Sequence, residues 1–208
     1  MPTIETTSAF FGVAVLLALA PGPDNFFVMI HSVVHGRRAG MLVVLGLCTG
    51  LVVHTTAVAL GLAAVFAASA TAFHVLKWCG AAYLLYLAWQ MSRARTGDAP
   101  EGRAPAMGRW RTYVRGVVMN VTNPKVAVFF LAFLPQFVNP AVGNVTSQVF
   151  FLGAVFIVAT LLTFGAIAYF SGVFGELFQR SPRVQRVLSW TAGAIFLGLA
   201  ARLATAER

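Results

Sequence analysis

A chain of 208 residues, 59% hydrophobic and 10% charged with mean hydropathy +0.80, has too few polar groups to cover a soluble domain, whose charged share is about 25%. Two stretches without Lys, Arg, Asp or Glu, residues 39–73 and 126–175, each exceed the roughly 20 residues that cross hydrocarbon, and neither shows the alternation of β-barrel strands. The net charge of +9 does not call for nucleic acid, because the arginines lie in short stretches between apolar spans rather than along one soluble face.

The pattern predicts an all-α integral membrane protein of six transmembrane helices, one transporter domain over residues 1–208. Span one covers residues 4–36 and is interrupted at Pro21-Gly22-Pro23-Asp24. Ala18-Leu19-Ala20 has the small-residue look of a signal-peptidase site, yet Glu5 and the lack of Lys or Arg before it favour a retained helix. Span two, residues 39–67, carries His54 and the Gly46/Gly50 pair, whose spacing suits close helix packing within a protomer or between the protomers of a homodimer. Span three covers 71–92, and residues 93–112 form an Arg-rich linker with Gly97, Pro100, Gly102 and Pro105. Span four, 113–138, is interrupted at Asn123-Pro124-Lys125; spans five and six follow at 146–175 and 185–204. Cys48 and Cys79 lie inside apolar segments as small hydrophobes, without a CxxC or a metal-ligand cluster. No cofactor or hydrolase motif is present.

Basic residues give the orientation. Arg37 and Arg38 follow span one, Arg93 to Arg115 separate spans three and four, and Arg180, Arg183 and Arg186 separate five and six. The loops near 68–70 and 139–145 have no Lys or Arg. This alternation places both termini outside the cytoplasm. A re-entrant first half of span one would instead bring the N-terminus inside. The chain also reads as duplicated. Val75–Ala88 and Val187–Ala200 share seven of fourteen residues without a gap, and spans one and four are each broken by proline. Three spans per repeat, 1–92 and 113–208 about the linker, require the two repeats to be inverted in the bilayer.

The breaks are the informative feature. Proline inside a helix removes a hydrogen bond and clashes with the preceding turn, costing about 3 kcal/mol. Within lipid such backbone survives only when buried in protein or lining a wet cavity. Asp24 is read either as a cap for the second half-helix or as a ligand in the cavity. Lys125 is read either as snorkelling to the interface or as facing the same cavity, where the opposite charges offset each other's cost. A cavity with one anion, one cation and free helix ends complements a zwitterion. Asn25, Asn120, Thr122 and Asn123 add donors and acceptors, or else serve the broken backbone. His54 is either a satisfied buried imidazole or, with Asp24, a candidate for proton coupling.

These residues carry a family resemblance. Pro21-Gly22-Pro23, Gly36-Arg37-Arg38-Ala39-Gly40, Gly46, Gly50 and His54, the run Gly80–Leu87, then Gly116, Asn120, Asn123-Pro124-Lys125 and Phe129–Phe137 together resemble the LysE/RhtB family of amino-acid exporters. The resemblance implies an inner-membrane secondary exporter of amino acids driven by the proton-motive force. It places the substrate site on Pro21, Pro23, Asp24, Asn120, Asn123, Pro124 and Lys125. Asp24 with Phe26-Phe27-Val28 looks like the threonine- and homoserine-type members, which points to small neutral substrates, leucine included. Ala88 departs from a glycine often found in the family. Basic-amino-acid exporters in the same family, or another small solute, form the alternative reading. More distant readings are a channel and a membrane thiol-redox carrier, the latter needing paired cysteines that Cys48 and Cys79 do not supply.

Overall fold

A computed structural model describes residues 2–20, 22–68, 107–171 and 182–205, with residues 78, 81, 82, 85, 86, 88, 89 and 93 besides. Among them the secondary structure is entirely helical. Thr3 caps α1 (Ile4–Leu19), its Oγ1 accepting the Thr6 N–H at 3.1 Å. After an extended Gly22, α2 (Pro23–His35) starts on a proline, where the missing N–H costs nothing. Gly36, at φ 83°, turns the chain into α3 (Arg37–Ala68) through a conformation that glycine enters freely.

The second broken span opens with α4 (Arg109–Val121). Asn123 then caps α5 (Pro124–Phe137), its Oδ1 accepting the Lys125 N–H at 3.0 Å. α5 starts as an α-helix, widens to π over Phe129–Phe133 and tightens to 3-10 over Leu134–Phe137. Pro135 offers no N–H to the carbonyls behind it, so the regular ladder stops there, and Gln136 Nε2 donates to Ala132 O at 3.5 Å. The connection to α6 (Val145–Tyr169) holds one 3-10 turn, Pro140–Val142, capped by Asn139. Buried Gln148 ties it down, donating to Asn139 O and Gly143 O and accepting the Asn139 N–H. The last described helix is α7 (Pro182–Thr205), which packs on α1 and the π segment of α5.

The Arg37–Gly61 part of α3 and all of α6 are each long and apolar enough to cross a membrane. α1 with α2, bent by 65°, and α4 with α5, bent by 48°, meet the same test when each pair is taken as one span. These correspond to the expected spans one, two, four and five. Span four begins at Arg109, four residues before the expected 113. About two thirds of span three and of the 93–112 linker fall outside the described residues, Cys79 among them.

Two apolar clusters flank the breaks. One joins Phe10 of α1 to Phe129, Phe133 and Phe137 of α5 and Phe156 of α6, with ring centroids 5.1–6.3 Å apart. The other joins Val28 of α2 to Val44 and Leu47 of α3 and Phe164 of α6. α3 and α4 run side by side in the same direction. A side-chain carbon at Gly46 would strike Tyr113 O, and one at Gly116 would lie 2.6 Å from Val43 O. The Gly46/Gly50 spacing therefore serves packing within the chain. α6 runs opposite to α3, placing Gly153 on Thr55 and Ala168 beside Gly40.

Candidate functional site

The site grows out of the break in span one. With a proline at position 21, Leu17 O has no N–H four residues on to receive, and α1 ends with unpaired carbonyls. Side chains answer them. Lys125 Nζ reaches across from α5 to donate to Ala20 O at 3.2 Å and Leu17 O at 3.4 Å. Asn25 Nδ2 donates to Ala18 O at 2.8 Å. A cation at a helix C-terminus also meets the negative end of the helix dipole. Lys125 Nζ lies 3.6 Å from Asp24 Oδ1, with both side chains buried. The ammonium thus donates to two carbonyls and stands at ion-pair distance from Asp24, and the two charges offset each other's desolvation.

Asp24 is the second residue of α2 and does not cap it. Gly22 is the N-cap, and no side chain bonds there. The carboxylate instead turns toward Lys125. Gly22 makes room for the pair, since a side-chain carbon there would lie 2.9 Å from Asp24 Oδ1 and 3.1 Å from Lys125 Nζ. The snorkelling reading of Lys125 is likewise replaced, because its ammonium points into the protein.

The second break supplies amides. Asn123 spends its oxygen on the α5 cap, leaving Nδ2 without a partner. Asn120 is buried against Gly50 with Oδ1 unpaired, while its backbone oxygen lies 3.2 Å from His54 Nε2. A carbonyl only accepts, so Nε2 carries the proton in that bond. His54 serves the loosened backbone and rests its ring on Phe130. Thr122 is exposed and bonds back to Val118 O.

Asp24, Lys125 and Asn120 border one small gap with Thr160, Phe156 and Phe164 of α6. Its volume of about 10 Å³ is the room one water needs, far below the hundreds of Å³ of a small-molecule pocket. The arrangement is closed. Yet Asp24 Oδ1, Asn25 Oδ1, Asn120 Oδ1, Asn123 Nδ2 and Thr160 Oγ1 are all buried without a hydrogen bond, and each such group costs about 1–3 kcal/mol. Of these groups, Asp24, Asn120 and Thr160 line the gap itself.

The structure thus gathers Asp24, Asn25, Asn120, Asn123 and Lys125 around the two breaks. Pro23 and Pro124 are exposed and act through the backbone they shape; Pro21 lies outside the described residues. Gly22, Thr160, Phe156 and Phe164 were not singled out from sequence. The signal available for Thr160 was a hydroxyl in the apolar middle of its span, shared with Thr163. Cys48 is free and buried among apolar neighbours. No group of three or more His, Cys, Asp or Glu able to hold a metal occurs among the described residues.

Comparison with known proteins bears on the family. A family model described as LysE type translocator matches residues 15–207. The homoserine/homoserine lactone efflux protein of Salmonella typhimurium is 33% identical over 205 residues, covering 99% of this chain and 98% of its own. An uncharacterized membrane protein of Vibrio cholerae is 32% identical over 208 residues, with 98% of each chain covered. The leucine efflux protein of Klebsiella pneumoniae is 28% identical over 199 residues, covering 93% and 92%. No solved structure matches.

Proposed function

Because the chain belongs to the LysE type translocator family, a family of transporters and not of enzymes, we propose that it exports a small neutral amino acid from the cytoplasm by proton-coupled alternating access. The observation that carries this reading is the buried Asp24–Lys125 pair, 3.6 Å apart where two broken helices meet. A zwitterion replaces that pair charge for charge: the substrate ammonium takes Asp24 and its carboxylate takes Lys125. When the substrate leaves, the two side chains recombine, so the empty carrier returns without an unpaired buried charge. A proton on Asp24 neutralises the same carboxylate, so proton and substrate ammonium compete for it, which is the logic of antiport.

The walls support a neutral side chain. Glu5 and Asp24 are the only acids among the described residues, and Glu5 is exposed at the start of α1. With Asp24 taken by the α-ammonium, no second carboxylate among the described residues is at hand for a basic side chain. Phe156 and Phe164 offer an apolar surface, and the unpaired Thr160 hydroxyl suits an alcohol such as homoserine. His54, engaged with Asn120 O, is less suited than Asp24 to carry the coupled proton.

The test is flux in proteoliposomes with labelled threonine, homoserine, leucine and lysine, with and without a pH gradient. Saturable transport of a neutral amino acid, raised by the gradient and lost in Asp24→Asn, is expected. Transport of lysine alone would shift the reading to the basic exporters. No flux of any of the four by folded protein would overturn it.

A further inference from the structure

On α2, Asp24, Val28, His31 and His35 recur at helical spacing on one face. Asp24 belongs to the site. His31 stands two turns beyond it, about 10 Å along the axis. It is 1% exposed, and neither ring nitrogen has a hydrogen-bond partner. Its ring lies against Phe27, centroids 4.0 Å apart, and 5.4 Å from the ring of His35. His35 is only partly buried, near the end of the helix. One helix face therefore carries titratable groups from the closed gap to the Arg-rich end of the bundle.

The polar backbone nearest the imidazole is that of Phe27 on its own helix, short of a well-formed hydrogen bond; burying a ring so poorly paired is costly, and an apolar ring would fill the same space without that cost. The surroundings argue against a fixed ion pair. The titratable and charged groups nearest His31 are His35 on its own helix and Arg115 of α4, whose guanidinium lies over the Phe27 ring at 5.6 Å. Arg37 of α3 is turned onto the Tyr169 ring of α6 at 4.4 Å. Among the described residues no acid lies nearer along this helix than Asp24. A proton on His31 would sit among cations, a place for passage and not for storage.

We propose that His31 carries the coupled proton between Asp24 and the Arg-rich end of α2, with His35 as the next group outward. Resting on the reading of the chain as a proton-coupled exporter, this adds a residue that touches no substrate. Opening of the gap wets this face of α2, and the proton passes from Asp24 through the imidazole to the cytoplasmic side.

The test separates coupling from substrate handling. Proteoliposomes holding wild type or His31→Gln are assayed with labelled homoserine and leucine, once for exchange at equal pH and once for accumulation driven by a pH gradient. With one proton per substrate, wild-type accumulation rises about tenfold per pH unit. His31→Gln should keep exchange and show no rise. If its accumulation rises as in wild type, His31 carries no coupled proton and the inference falls alone. If wild type exchanges neither amino acid, the exporter reading and this inference fall together. Should His31→Gln lose exchange as well, His31→Phe repeats the comparison, since it keeps the ring against Phe27 and removes only the nitrogens. Exchange kept and gradient response lost supports the inference. Exchange lost in both variants assigns His31 to packing and overturns it.

Discussion

Lys125 and Asp24 form a pair whose members are not equivalent. Removing the lysine leaves a buried carboxylate unpaired and takes the donor from Leu17 O and Ala20 O, two carbonyls that the broken helix cannot serve itself. Removing the charge of Asp24 leaves the ammonium with both carbonyls and the negative end of α1. Lys125→Ala should therefore cost about 3–5 kcal/mol, the usual loss when one partner of a buried pair is removed, and Asp24→Asn clearly less. Thermal unfolding in detergent measures both. Equal losses would mean that the carbonyl contacts contribute nothing. Transport ranks the variants differently, because both charges are proposed to hold the substrate and both variants should lose it. The sequence made the pair legible, since opposite charges at two proline breaks have little reason to be buried except together. It did not disclose that Lys125 also closes the end of α1, because that depends on the angle at which the half-helices cross.

The half-helices can approach only because glycine stands where they cross α3. At Gly116 a methyl group would meet Val43 O at 2.6 Å and Gly46 Cα at 3.2 Å, both backbone atoms that cannot swing aside. Gly116→Ala should push α4 from α3 and cost about 1–3 kcal/mol. It should also slacken the gap, since Asn120 sits one turn further along α4. Gly165→Ala in α6 is the control. Its nearest neighbour is the flexible Met41 Cε at 3.8 Å, so relief of helix entropy should make it neutral or stabilising by about 0.5–1 kcal/mol. Paired melting curves decide, and a neutral Gly116→Ala would contradict the close packing. At this scale the proline-led starts of α2 and α5 followed from the sequence by backbone chemistry. The π widening at Phe129–Phe133 did not, because it comes from a register change that composition does not encode. Gln148 was equally hidden, a polar residue in an apolar run whose partners lie five and nine residues back in a loop.

Over the whole molecule, the broken span runs from one end of the bundle to the other. Phe10 near the start of α1 meets Phe156 edge-on, and Phe11 lines one surface pocket with Phe151, which lies in the first half of α6 as Phe156 does. The end of α2 leads into Arg37, which lies over Tyr169 at the last turn of α6. α1 with α2 thus traverses rather than doubling back, which argues against the re-entrant alternative. The parallel course of α3 and α4 brings Arg37 and Arg38 to the same end as Arg109, Arg111 and Arg115. The alternation of basic loops read along the chain is therefore also a separation in space, and on the positive-inside bias we propose that this end faces the cytoplasm. Alkaline phosphatase fused after residue 142 or at the C-terminus should accordingly be active, and fused within 93–112 it should be inactive. The opposite pattern would invert the molecule and turn the proposed proton path along α2 toward the outside, so that the same Asp24–Lys125 site would serve uptake in place of export.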